Sequence, residues 1–292
     1  MCDELTEADN EAFFRASRML SRRNFNALAA GAGAAMLLPA PANAMAVSES
    51  DVLVKTPDGE ADAYFVHPAS GKHPGVVIWP DIMGIRPAFR QMGKRLAQSG
   101  YAVLVVNPYY RMVKGPVITE GESYSDAPVR ARLTPFARSL SPETTVTDAK
   151  AFAAFLDSQD TVDSAKKLGA AGYCMTGSFV MRMAAALPDR IGAGASFHGG
   201  GLVTDEPDSP HLLIPEMKAS FLIAIAENDD KRDPGAKAAL REAFDAAGLP
   251  AEIEVYEGAL HGWCPPDSRV YNEAQAERAW ARFLALLEKS LA

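Results

Sequence analysis

Cysteine is scarce in this chain: Cys2, Cys174 and Cys264 are the whole complement among 292 residues. Three thiols cannot build a disulfide framework or a four-thiolate zinc site. The histidines and cysteines are scattered without metal-ligand spacing, so no metal and no other cofactor is expected. Basic side chains are outnumbered, 29 Lys+Arg against 37 Asp+Glu, for a net charge of −8. A nucleic-acid partner is not expected, because such proteins present a basic face to phosphates. No apolar run reaches the roughly 20 residues that cross a bilayer. There is no internal repeat. Gly31-x-Gly33 has no strand before it, which excludes a dinucleotide loop there. What is present is a 48% hydrophobic, 23% charged composition, too apolar for a disordered chain.

Residues 1–44 read as an address rather than as domain sequence. A polar stretch precedes Ser21-Arg22-Arg23-Asn24-Phe25-Asn26, and a short small-residue apolar run follows from Ala27 to Leu38. Ala42-Asn43-Ala44 supplies an A-x-A cleavage pattern before Met45. A basic region, a short apolar region and such a site are the parts of an export signal. The paired arginines resemble the twin-arginine signal, whose machinery is then an expected partner. A buried helix fits less well, since the run has no polar face and two glycines weaken it. Cleavage would remove Cys2 and leave 45–292 as one domain in the periplasm, with no membrane anchor.

The remaining chain alternates strand and helix. Asp51–Thr56 and Ala61–Val66 read as a hairpin around Pro57-Asp58-Gly59. Gly75–Trp79 and Tyr101–Val106 are continuous apolar runs, as in strands buried on both faces. Leu168–Tyr173, Ile191–Phe197, Phe221–Ala226 and Ile253–Tyr256 are further strands. Helices are expected over Arg86–Ser99, Pro142–Gln159, Ser178–Leu187, Lys237–Ala247 and Asn272–Ser290. Repeated β-α units imply an α/β class with a mostly parallel sheet and helices on both faces. Pro108 to Leu140 is the one long irregular stretch.

The richest segment is Gly172-Tyr173-Cys174-Met175-Thr176-Gly177, where a strand runs into a helix. Glycines flanking the central residue permit a tight turn with close backbone approach. Such a turn lifts a nucleophile above the sheet edge. A helix N-terminus favours thiolate, the reactive form of cysteine. The following amide, Met175, can hold a developing oxyanion. An inert buried cysteine at a strand end is the plainer alternative.

A nucleophile needs a base, and the base an orienting acid. In chain order nucleophile, acid, histidine, His261 in Gly258-Ala259-Leu260-His261-Gly262 follows the last strand. Asp229 follows Phe221–Ala226 within Glu227-Asn228-Asp229-Asp230. Asp229 is preferred over Asp230 on its position; either could instead cap the next helix. His198, in Phe197-His198-Gly199-Gly200-Gly201, is similar to a lipase oxyanion loop but lies after the nucleophile rather than before it. It reads as a wall residue rather than the base.

These segments, with Pro80-Asp81-Ile82-Met83-Gly84-Ile85-Arg86 and Met92–Ala97, resemble the dienelactone hydrolase family over Val52 to Leu287. The resemblance implies an eight-stranded α/β-hydrolase fold that hydrolyses lactones and esters through an acyl-thioester. It matches Cys174 to the nucleophile, Asp229 to the acid and His261 to the base. It matches the amides of Ile82 and Met175 to the oxyanion hole. Asp81 stands where the family has a glutamate that assists the thiol, and Arg111 matches loosely an arginine that binds the substrate carboxylate. The second such arginine is replaced by Cys264-Pro265-Pro266, a departure that argues against dienelactone itself. For Cys264 two outcomes are open: a silencing disulfide with Cys174, or a packed loop thiol, which is preferred. The alternatives to a hydrolase are a non-catalytic ligand-binding protein of the same fold and a thiol-reactive redox protein built on Cys174.

Overall fold

The computed structural model describes residues 8–10, 12, 38–41 and 43–292. The paired arginines, most of the apolar run of the proposed signal, and Cys2 lie outside the described residues. Among those described, no helix is long and apolar enough to cross a membrane. No cluster of three or more His, Cys, Asp or Glu residues placed to hold a metal ion is found among them.

Eight strands form one sheet in the order β1-β2-β4-β3-β5-β6-β7-β8. Strands β1 (Val47–Thr56) and β2 (Gly59–Pro68) are an antiparallel hairpin, and β2 pairs antiparallel with β4 (Ala102–Val106). From there β3 (Gly75–Trp79), β5 (Leu168–Tyr173), β6 (Ile191–Phe197), β7 (Ser220–Ala226) and β8 (Ala251–Tyr256) run parallel. The runs in β3, β4, β5 and β6 are buried along their whole length, which is why they read as unbroken apolar sequence.

Helices cover both faces. Helix α1 (Pro87–Gln98) lays Phe89, Met92 and Leu96 on one face, beside Phe283 and Leu287 of the C-terminal helix, Glu273–Ser290. On the other face lie Phe152 and Leu156 of Pro142–Asp157, Val180 and Met181 of Gly177–Ala186, and Leu240 and Phe244 of Ala236–Ala247. The helix over Pro142–Asp157 starts at the expected cap. The Ser141 hydroxyl accepts from the Thr144 amide at 3.2 Å, and the Thr144 hydroxyl accepts from the Ser141 amide.

The stretch expected to be irregular contains α2 (Ala127–Arg138). Pro128 and Pro135 obscure it in the sequence. A proline in the first turn costs no hydrogen bond, whereas one inside a helix removes one. Val129 and Leu133, four residues apart, anchor it over Tyr109 and Ile82. A second helix absent from the sequence reading, Glu227–Arg232, carries the segment after β7.

Candidate active site

Cys174 sits immediately after β5, at φ +58°, a left-handed conformation rare for a residue with a side chain. Its neighbours explain how the turn holds. The Thr176 hydroxyl accepts from the Tyr173 amide at 2.8 Å and lies 2.8 Å from the Trp79 carbonyl, bracing the turn against β3. A Cβ on Gly172 would stand 2.2 Å from the Thr176 carbonyl oxygen. One on Gly177 would stand 2.3 Å from Ser196 Oγ. Threonine at the second position and glycine at the third are therefore one device: the hydroxyl ties the turn, and the missing side chain lets β6 approach.

The loops after β7 and β8 are laced together. The Glu227 amide donates to the Ala259 carbonyl at 2.9 Å, and the Gly258 amide donates to Glu227 Oε2 at 2.6 Å. The His261 amide donates to Asn228 Oδ1 at 2.9 Å. These contacts bring His261 Nδ1 to 2.7 Å from Asp229 Oδ2. Asp230 turns away to Lys237, at 2.7 Å. Glu227 and Asn228 were missed as positioning residues in the sequence. Their signal was their place between the strand end and Asp229.

Cys174 and His261 line one cavity with Asp81, Ile82, Met83, His198, Asp267, Arg269 and residues 122–125. All the sheet-derived members lie beyond the C-terminal ends of parallel strands, the edge where such folds bind ligands. Ile82 and Met175 are drawn together by Tyr109, another residue not singled out in the sequence. Its buried hydroxyl donates to the Ile82 carbonyl at 2.9 Å and lies 3.9 Å from Met175 Sδ.

Two expected residues are engaged differently from the sequence reading. Asp81 lines the cavity, but Arg86 grips its carboxylate with two hydrogen bonds of 2.7 and 3.0 Å. The Met83 amide adds a third at 2.9 Å. Arg86, itself buried, also holds Asp267 at 2.6 and 3.0 Å. Arg111 is not brought to this cavity. It binds both carboxylate oxygens of buried Asp148, at 2.7 and 2.8 Å, and reaches Asp58 in the hairpin turn. A carboxylate as buried as Asp148 requires a cation, and that requirement claims Arg111. The basic residue at the cavity is instead Arg269, held by Asp126 at 2.9 and 3.0 Å.

Cys174 is in disulfide form in this structure, whereas Cys264 is a free buried thiol. The pairing of Cys174 with Cys264 is therefore not formed. Burial pushes the Cys264 thiol well above its usual range, which keeps it protonated and inert. Asn10 from the N-terminal segment also lines the cavity, its Nδ2 3.4 Å from the His261 carbonyl. Asp9 beside it pairs with Arg232 at 3.0 Å.

A carboxymethylenebutenolidase of Rhodococcus opacus is 25% identical over 232 residues, covering 78% of this chain and 86% of that one. Among solved structures, a dienelactone hydrolase-like promiscuous phosphotriesterase from metagenomic libraries superposes with a TM-score of 0.67 at 19% identity. It covers 85% of this chain and all of that one. A dienelactone hydrolase of Anabaena variabilis gives 0.58 at 16% identity, covering 84% and 99%. Those structural likenesses establish the α/β-hydrolase fold. The model of the dienelactone hydrolase family matches residues 61–291, and the chain belongs to that family.

Proposed function

We propose that this chain is an exported hydrolase that cleaves carboxylic-ester or lactone bonds with Cys174, His261 and Asp229. The observation that carries the reading is the 2.7 Å contact between His261 Nδ1 and Asp229 in the cavity that Cys174 lines. Asp229 fixes the imidazole so that Nε2 is available to the sulfur. Once reduced, Cys174 loses its proton to Nε2, and the sulfur attacks the acyl carbon. The amides of Ile82 and Met175 hold the oxyanion. Collapse expels the alcohol, which takes the proton from His261, and leaves a thioester. His261 then removes a proton from water as it attacks the thioester. The acid is released and the thiol restored.

The cavity's charge narrows the substrate. Asp81, Glu122 and Asp267 line it against Arg269, which Asp126 already neutralises. Arg86 beside it is shared between Asp81 and Asp267. A substrate carboxylate would have to break one of these pairs or face the acids. Uncharged esters and lactones are therefore the class that fits. A panel of matched neutral and carboxylate-bearing esters and lactones, assayed with thiol reductant on protein beginning at Met45, tests the reading. Neutral members are expected to show kcat/KM at least about tenfold higher, about 1.4 kcal/mol in transition-state binding. No turnover of any member would overturn the hydrolase reading, and preference for the carboxylates would overturn the neutral-substrate assignment.

Export rests on Arg22-Arg23 and the Ala42-Asn43-Ala44 site. N-terminal sequencing of the chain recovered outside the cytoplasm is expected to begin at Met45. Retention of the uncleaved chain in the cytoplasm would refute it.

A further inference from the structure

The His198-Gly199-Gly200 segment has no part in the mechanism above, yet it holds both backbone groups of Cys174. The Cys174 amide donates to His198 Nδ1 at 3.1 Å, and the Gly200 amide donates to the Cys174 carbonyl at 3.2 Å. His198 is in turn anchored to β7, its own amide donating to the Ala224 carbonyl at 2.8 Å. It also adopts a left-handed backbone, φ +42°. Gly199 allows the close passage, since a Cβ there would stand 2.1 Å from Ser196 Oγ. Two consecutive strand ends, β5 and β6, are thus clasped at the residue read as the nucleophile.

An imidazole nitrogen that accepts an N–H carries no proton, so the proton of His198 sits on Nε2. That atom is fully buried without a hydrogen-bond partner, in a residue that lines the same cavity. The aromatic rings beside it are His261 at 5.0 Å, Trp263 at 5.2 Å and Tyr173 at 6.1 Å between centroids. Among them His261 alone becomes a cation in the proposed reaction. Burial, and then the neighbouring His261, hold His198 well below the usual histidine range, so it stays neutral beside that cation.

We propose that His198 is a positioning residue: its neutral Nδ1 accepts the Cys174 amide and sets the strained backbone from which the sulfur attacks. The same bond disqualifies His198 as the base, because its one acceptor is occupied. The proposal rests on the reading of Cys174 as nucleophile and deepens it.

The test uses the full chain, kept in thiol reductant for kinetics and desalted anaerobically before alkylation, with His198→Leu, His198→Asn and His198→Gln. Asparagine places its amide oxygen near the Nδ1 position, whereas glutamine reaches toward Nε2. The leucine variant is expected to lose about 10- to 100-fold in kcat, the range for an uncompensated buried amide, with KM within about threefold. The rate of iodoacetamide alkylation of Cys174 at fixed pH, followed by peptide mass spectrometry, is expected to fall by a similar factor. Asparagine is expected to restore both readouts to within about threefold of the wild type, and glutamine is not. If the leucine variant fails to fold, the asparagine–glutamine contrast decides. Equal values for those two, or a leucine variant unchanged in both readouts, would overturn the proposal. Alkylation does not require ester turnover, so failure of the hydrolase reading leaves His198 separately testable.

Discussion

Replacing Cys174 with alanine is expected to lower turnover of small activated esters by at least about a thousandfold. The sulfur is the atom that the proposed chemistry joins covalently to the substrate. The oxyanion amides and the binding walls remain in the variant, so a small residual rate over water is expected. Assays must include a thiol reductant, because Cys174 stands in disulfide form in the structure and a disulfide sulfur is not a thiolate. Cys174→Ser should recover little of the loss. A serine hydroxyl is far harder to deprotonate than a thiol, and the proposed mechanism needs the anion. Stopped-flow detection of a burst in the wild type, absent from the alanine variant, would identify the acyl-thioester. Full activity in the alanine variant would remove Cys174 from the mechanism.

Asp229→Asn is expected to lower kcat by about 100- to 10,000-fold, whereas Asp230→Asn should stay within about threefold. The two carboxylates are adjacent in sequence but face different partners. Asp229 meets His261 Nδ1 at 2.7 Å, and Asp230 meets Lys237 at 2.7 Å. An asparagine at 229 can present a donor where the carboxylate accepted, which favours the tautomer with its proton on the wrong nitrogen. It also removes the charge that steadies the imidazolium. At 230 the same change breaks a partly exposed ion pair, which contributes little. Steady-state kinetics across pH, with circular dichroism to verify folding, separates the two. Equal losses at both positions would show that the pair acts as one electrostatic unit rather than as acid and bystander.

The elements that the sequence made legible share a cause. Strands β3 to β6 are buried on both faces, so their code is an unbroken apolar run that few alternatives imitate. The turn at Cys174 was legible because its backbone demands glycine at particular places. The helix at Ala127–Arg138 was hidden by its prolines, and tertiary contacts through Val129 and Leu133 outweigh that local signal. The fate of the charged residues was least legible. Arg111 was expected at the substrate but is claimed by buried Asp148, 37 positions away. Arg86 and Asp81 lie five apart, yet the bond from Arg86 to Asp267 spans 181 positions. Which carboxylate meets which arginine depends on distances that no local pattern encodes.

By itself, the sequence determined the alternation of strands and helices, the place of Cys174 at a strand-to-helix turn, and the order Cys174, Asp229, His261. These follow from periodicity and backbone sterics, which act within a few residues. Only the tertiary structure decided that Asp229 rather than Asp230 faces His261, and that Arg269 stands at the cavity in place of Arg111. It alone showed that His198, set aside as a wall, grips the amide of Cys174. Hydrogen bonds and ion pairs are made between atoms about 3 Å apart, whatever their separation in the chain. Their partners become fixed only when the sheet brings its strand ends to one edge.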